Sequence, residues 1–236
     1  MKLCILMCGL KRSFDEVKNT LYEHIFDKFL KQNATIDVFI HTDKKIEIKY
    51  LKGSIIKNIQ RNAHVNGIPF PQFIRQCECY KNLIIPYMKK NNIEYDFYIC
   101  IRPDYIYFKN CIEDINKWNK DKVNSRVRCY PTLLPFNYHT GFLNGPKNEP
   151  ELYDDQFFII PKKIVSKALS INTSVKFKRV TWGELMLTKI FKSKNIEFHI
   201  IPLNAMLHNW KHDKKNIIYK KRCKLNLYEN IYWNVA

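Results

Sequence analysis

Three short clusters in the first half of the chain bring together residue types that handle charged ligands: Gly9 to Arg12, Thr42-Asp43 and Arg102-Pro103-Asp104. Asp104 is a carboxylate of the kind that a hard Mg²⁺ or Mn²⁺ ion takes alongside phosphate oxygens, and the same side chain would also serve to cap the turn after Pro103. Arg102, two positions earlier, has two uses open to it: direct contact with phosphate, or orientation of Asp104 through a salt bridge. Gly9 suits a place where the backbone comes close to a ligand, and Arg12 just beyond it suits a phosphate or a nucleotide. In the second half the acidic residues Asp154-Asp155 and Glu184 stand out. A carboxylate within reach of a hydroxyl is the ordinary general base. Adjacent carboxylates such as Asp154 and Asp155 can raise one another's pKa. Glu184 opens a helical segment, where a carboxylate also stabilises the first turn through the helix dipole.

These residues need elements to hold them. Lys2 to Cys8 and Thr35 to His41 are continuous apolar runs, as expected for strands covered on both faces. Between them Val17, Leu21, Ile25 and Leu30 form a helical stripe whose start Ser13 or Asp15 can cap. This is a βαβ unit, which predicts parallel strands joined by a right-handed crossover. A helix over 72–88 and a buried strand from Tyr95 to Ile101 follow, with Pro103 stopping the strand. In a doubly wound sheet, ligands gather beyond the carboxyl ends of the strands, where the first three clusters fall. From Asn116 to Pro150 the pattern loosens around several prolines and glycines and predicts a long loop region. A strand over 156–160, helices over 162–169 and 182–194, and a strand over 197–201 complete the reading, so that Asp155 should lie directly before a buried strand.

The 236 residues, with 46% apolar and 14% aromatic content, suit one α/β domain. The apolar run Leu3 to Leu10 is about half a membrane span, and Lys11-Arg12 follow it without a small-residue cleavage site, so a cytoplasmic protein is expected. The eight cysteines sit mostly inside apolar runs and suit a reducing compartment. Cys77-Glu78-Cys79 has no clear second ligand pair for zinc. The net charge of +18 attracts phosphates, nucleic acids and acidic lipids alike and does not choose among them. Its densest run, Lys211 to Lys224, is confined to the tail, whereas a nucleic-acid binder usually concentrates its charge over its binding surface.

Taken in order, Cys8-Gly9-Leu10-Lys11-Arg12-Ser13-Phe14, Ile36 to Thr42, Tyr95-Asp-Phe-Tyr-Ile-Cys-Ile-Arg-Pro-Asp104, Asp154-Asp155-Gln156-Phe157-Phe158 and Trp182-Gly183-Glu184 resemble the motifs of a group of bacterial and large-DNA-virus glycosyltransferases of the A-type fold that build surface glycans. The resemblance runs over about residues 3 to 208. It implies a mainly parallel central sheet flanked by helices, a single domain over 1–210 and a basic tail over 211–236. It also implies a nucleotide-sugar donor, a glycan or glycoconjugate acceptor, no specific nucleic acid and at most peripheral membrane contact. The donor would be bound by Gly9, Arg12, Thr42, Asp43, Arg75, Arg102 and Asp104, with Mn²⁺ or Mg²⁺ held by Asp104 and His208. Asp155 and Glu184 are the catalytic candidates it points to, Glu184 being similar to the acidic residue of an x-E-D motif whose Asp is replaced by Leu185. The chain also departs from the Asp-x-Asp pattern, since Arg102 stands where the first aspartate is expected. Two other readings compete: a basic nucleic-acid-binding protein, and another nucleotide-dependent α/β transferase such as a methyltransferase. The chain has no G-x-G-x-x-G, which counts against a methyltransferase-like or NAD-binding domain.

Overall fold

The computed structural model describes residues 1–48, 56–60, 64–65, 68–69, 72–130, 143–144, 152–170 and 183–207. It is mixed α/β, built on a mostly parallel sheet with helices on both faces. The first unit is as the sequence predicts. Strand β1 (Lys2–Gly9) and strand β2 (Thr35–Thr42) pair in parallel from Lys2 opposite Thr35 to Gly9 opposite Thr42. Between them run α1 (Phe14–Leu21), a π turn (Tyr22–Phe26) and α2 (Asp27–Lys31). Ser13 occupies the position before α1 but makes no side-chain capping bond; its carbonyl accepts the N–H groups of Glu16 and Val17. Asp15 does not cap either, and its carboxylate pairs with Lys11 and Lys18.

Strand β3 (Ile56–Gln60) adds to the free side of β2, and a small hairpin of β4 (His64–Val65) and β5 (Ile68–Pro69) follows. The predicted second helix is α3 (Gln72–Cys79), a π turn (Tyr80–Ile84) and α4 (Ile85–Asn91), ending on Asn92 in the left-handed conformation. Pro86 has no N–H to give the carbonyl four residues back, which fits a break in the regular ladder at that turn. The chain then returns as β6 (Phe97–Ile101) on the opposite side of β1 from β2. Alternation along β1 divides the core. Leu3, Ile5 and Met7 pack with Phe14, Ile25, Phe26 and Phe29 of the first helical layer, while Cys4, Leu6 and Cys8 pack with Phe73, Cys77 and Leu83 of the second. Each fully buried phenylalanine contributes about 1.5–3 kcal/mol of burial free energy.

Pro103 ends β6, and β7 (Tyr105–Ile112), which the pattern did not single out, follows at once. A 3₁₀ turn (Ile115–Lys117) leads to β8 (Val123–Tyr130), inside the stretch expected to be loop. That expectation is corrected because Asn124, Ser125 and Arg126 are buried and hydrogen-bonded within the fold, so the strand carries no apolar run to read. Short β9 (Leu143–Asn144) lies beside β8. Strand β10 (Leu152–Pro161) starts four residues earlier than expected, so Asp154 and Asp155 lie within the strand and are buried. It runs antiparallel to both β6 and β8. Helices α5 (Lys162–Ala168) and α6 (Gly183–Ser193) precede β11 (Phe198–Ile200), which pairs with β8, and β12 (Leu203–Leu207), which pairs with β7 in a separate ribbon. The main sheet therefore has the order β11-β8-β10-β6-β1-β2-β3. No helix among the described residues is long and apolar enough to cross a membrane.

Candidate functional site

The strand order reverses at β1: the chain goes to β2 and β3 on one side and comes back to β6 on the other. Beyond the carboxyl ends of β1 and β6 lies the topological switch point, the place where open α/β sheets leave a crevice for ligands. Gly9 closes β1 there with φ at +140°, a conformation that side chains rarely adopt. A Cβ on Gly9 would lie 3.2 Å from Cδ of Pro103 and 3.3 Å from Oε1 of Gln72, so the two strand ends meet the start of α3 with no room for a side chain. Gln72 fixes this junction by donating from Nε2 to the Cys8 carbonyl at 2.7 Å.

Asp104, fully buried, is held in the fork of Arg102, whose Nε donates to Oδ1 and Nη2 to Oδ2, both at 2.8 Å. Burial works against the Arg102 charge, but the neighbouring Asp104 carboxylate, with smaller help from Tyr105 and Asp155, more than offsets it and raises the guanidinium above its usual pKa. Arg12 approaches from the solvent side: its Nη1 is 3.7 Å from Asp104 Oδ2, and its side chain is 52% exposed. Its backbone has φ at +30°, a strained value for a non-glycine residue. Arg75, on α3, is 2% exposed, and burial lowers its pKa from the usual guanidinium value. It feels the charges of Asp43 and Arg102. Arg12 and Arg102 thus flank Asp104 beyond the carboxyl end of β6.

The Thr42-Asp43 pair shapes the neighbouring loop. Thr42 Oγ1 donates to the Lys44 carbonyl at 2.6 Å, and Asp43 Oδ1 accepts the Lys11 backbone N–H at 2.7 Å, which ties the turn after β1 to the turn after β2. An open depression of ≈ 360 Å³ adjoins this loop, lined by Lys11, Asp15, Lys18, Tyr22, Lys45 and Glu47.

Asp155 lies at the start of α6, the helix whose second residue is Glu184. The Asp155 carboxylate sits against Gly183, where a Cβ would fall only 2.0 Å from Oδ2, and Glu184 is the next residue of the helix. The carbonyl of Asp155 accepts Gln76 Nε2 at 3.1 Å, which joins this end of β10 to α3 and so to Arg75. Asp154, by contrast, turns away into a salt bridge with Arg126 at 2.8 Å. The side chain of Glu184, together with His208 and the basic tail over 211–236, lies outside the described residues.

The Asp104 carboxylate does not fit a Mn²⁺ or Mg²⁺ ion as arranged, because both of its oxygens are in the Arg102 fork and a second cation stands 3.7 Å away. Among the described residues no group of three His, Cys, Asp or Glu side chains could hold a metal ion. Sequence reasoning missed Gln72 and Gln76, buried polar residues that lock the strand ends to α3. A signal for them existed: Gln72, Arg75 and Gln76 fall at i, i+3 and i+4, one polar face of a helix that also carries Phe73, Ile74, Cys77 and Cys79. No protein-family model matches this sequence, and no curated protein is similar enough to match it either.

Proposed function

We propose that the protein is a glycosyltransferase of the A-type fold that moves a sugar from a nucleotide-diphosphate donor to a glycan acceptor. The observation that carries this reading is the placement of Arg12 and Arg102 around Asp104 beyond the carboxyl ends of β1 and β6. A diphosphate is the ligand class such an arrangement suits, since guanidiniums bind phosphate oxygens in a planar fork. The nucleoside would extend into the adjoining depression, where Tyr22 and the lysines lie. On the other side the acceptor would reach the start of α6. There Glu184 is the general base, and Asp155, seated on Gly183, anchors the helix that carries it. The anomeric carbon then loses its bond to the diphosphate oxygen and gains one to the acceptor oxygen, whose proton passes to the base.

The test is a thermal-shift screen of UDP-sugars and GDP-sugars on the full chain, followed by an assay of donor hydrolysis without acceptor. A ligand that binds only the folded state raises its melting temperature, so a shift of several degrees at about a hundredfold excess over Kd is expected. If no nucleoside diphosphate or nucleotide sugar shifts the transition at millimolar concentration, the donor-site reading fails.

A further inference from the structure

The strand end after β6 carries a guanidinium where a metal-binding A-type site would present its first carboxylate. Asp104 has no solvent exposure, and its two oxygens are matched one to one with two N–H groups of Arg102 at 2.8 Å. A fork of this kind is a strong and directional form of charge-assisted hydrogen bond. A divalent ion entering here would displace those bonds and meet the guanidiniums of Arg102 and Arg12 within a few ångströms, a like-charge arrangement. Arg12 is differently placed. Half exposed, it holds Asp104 only through a long 3.7 Å contact and sits on strained backbone at φ +30°. Such a side chain can turn from Asp104 to an incoming phosphate at little cost, and strain of this sort persists where the surrounding structure enforces a particular aim.

We propose that Asp104 is a positioning residue, not a metal ligand, and that it aims Arg102 and Arg12 at the donor diphosphate so that their guanidiniums stabilise the leaving group in place of a divalent cation. The proposal rests on the donor-site reading above. When the bond from the anomeric carbon to the diphosphate oxygen breaks, its electron pair stays on the diphosphate, and the added negative charge falls on oxygens that Arg12 and Arg102 face. Preorganised cations are worth most at that moment, because they need no reorganisation as the charge develops.

The experiment is isothermal titration of UDP and of GDP into the full chain, once in EDTA and once in excess Mn²⁺, with a separate titration of Mn²⁺ alone followed by its paramagnetic resonance signal. The expected result is one nucleotide whose Kd agrees within about twofold between the two buffers, with no Mn²⁺ bound by the protein alone at micromolar concentration. Arg12→Ala should weaken that nucleotide at least ~tenfold in both buffers, and Arg12→Lys should recover part of the loss, since the charge returns without the fork. Asp104→Asn should weaken it by a similar factor, equally with and without Mn²⁺. Should Asp104→Asn fail to fold, the Arg12 variants and the Mn²⁺ titration still decide the matter. Binding that appears only with Mn²⁺, or Mn²⁺ bound by the wild type and lost from Asp104→Asn, overturns the proposal and leaves the donor site standing. Absence of nucleotide binding in both buffers overturns both.

Discussion

Two buried arginine–aspartate pairs stand on this fold, and they are built to different ends. Arg126 on β8 uses its donors inside the protein: Nε reaches Asp154 at 2.8 Å, Nη1 reaches the carbonyls of Leu203 and Ala205 at 3.1 and 2.7 Å, and Nη2 faces the Tyr105 hydroxyl at 3.5 Å. Asp154 in turn accepts the Gln156 backbone N–H at 3.0 Å, and Tyr105 donates to Gln156 Oε1 at 2.6 Å. This network closes on itself and clamps β12 and β10 to β8. Arg102 and Asp104 make an equally tight pair, but Arg12 stands beside it with its side chain 52% exposed, so one guanidinium of this group faces solvent. A pair with its bonding completed inside the fold holds the structure together. The proposed donor site uses the second kind, a pair beside which a further guanidinium, that of Arg12, reaches solvent.

The largest effect should come from breaking the closed network. Removing one partner of a buried, hydrogen-bonded ion pair leaves the other charge uncompensated and typically costs about 3–5 kcal/mol. Arg126→Met should therefore lower the unfolding free energy by that amount, seen as a lower urea midpoint at unchanged m, yet leave nucleotide affinity of the folded protein near the wild-type value. Arg12→Ala should do the reverse, because its exposed contact contributes less than ~1 kcal/mol to stability. If Arg126→Met proves neutral in denaturation while Arg12→Ala unfolds the chain, the contrast between clamp and site is wrong.

The next effect separates the two acidic residues at the start of α6. Glu184→Gln should lower kcat by roughly a hundredfold with little change in donor affinity, as the loss of a general base acts in the transition state. Asp155→Asn should instead lower the melting temperature, since its carboxylate is seated on Gly183 at the positive end of the helix. Steady-state kinetics and melting curves of both variants make the distinction. A hundredfold loss of kcat in Asp155→Asn with unchanged stability would exchange the two roles.

The contrast between the two pairs also explains what could be read from the sequence. The β1, β2 and β6 strands were legible because burial on both faces makes each a continuous apolar run, and the carboxyl-end clusters followed from that placement alone. Arg102 and Asp104 were legible as a salt bridge because they are two residues apart. Arg126 and Asp154 were not, since they are 28 residues apart in the chain and their polar strand, Val123–Tyr130, reads as loop. For the same reason the partner of Asp154 could not be read: the sequence shows only its neighbour Asp155, whereas the strand pairing of β10 with β8 brings it Arg126. The division of β1 between two helical layers, and hence the switch point itself, needed the strand order, which periodicity does not carry.

The smallest effect sharpens the electrostatic half of the comparison. Asp15 lies on the rim of the depression beside the site, pairs with Lys11 at 3.0 Å and Lys18 at 3.3 Å, and is 59% exposed. The hydrogen bond from Lys11, then that from Lys18, lowers its pKa below the ordinary aspartate value against the opposing effect of burial. A carboxyl whose folded pKa is depressed contributes stability above its unfolded pKa and loses it as pH falls through the folded value, so Asp15→Asn should flatten the acid side of the stability curve slightly. Solvent screening keeps that contribution below ~1 kcal/mol. The more telling change is in binding. Removing Asp15 frees the Lys11 and Lys18 charges from a competing carboxylate, so a diphosphate should bind about two- to threefold more tightly at low salt, and the gain should fade as added salt shortens the Debye length toward a few ångströms. Titrating the same nucleotide into wild type and Asp15→Asn at two salt concentrations reads this directly. Equal affinities at low salt would mean that the depression does not sense the phosphates, and the anion site would then be confined to Arg12, Arg75 and Arg102.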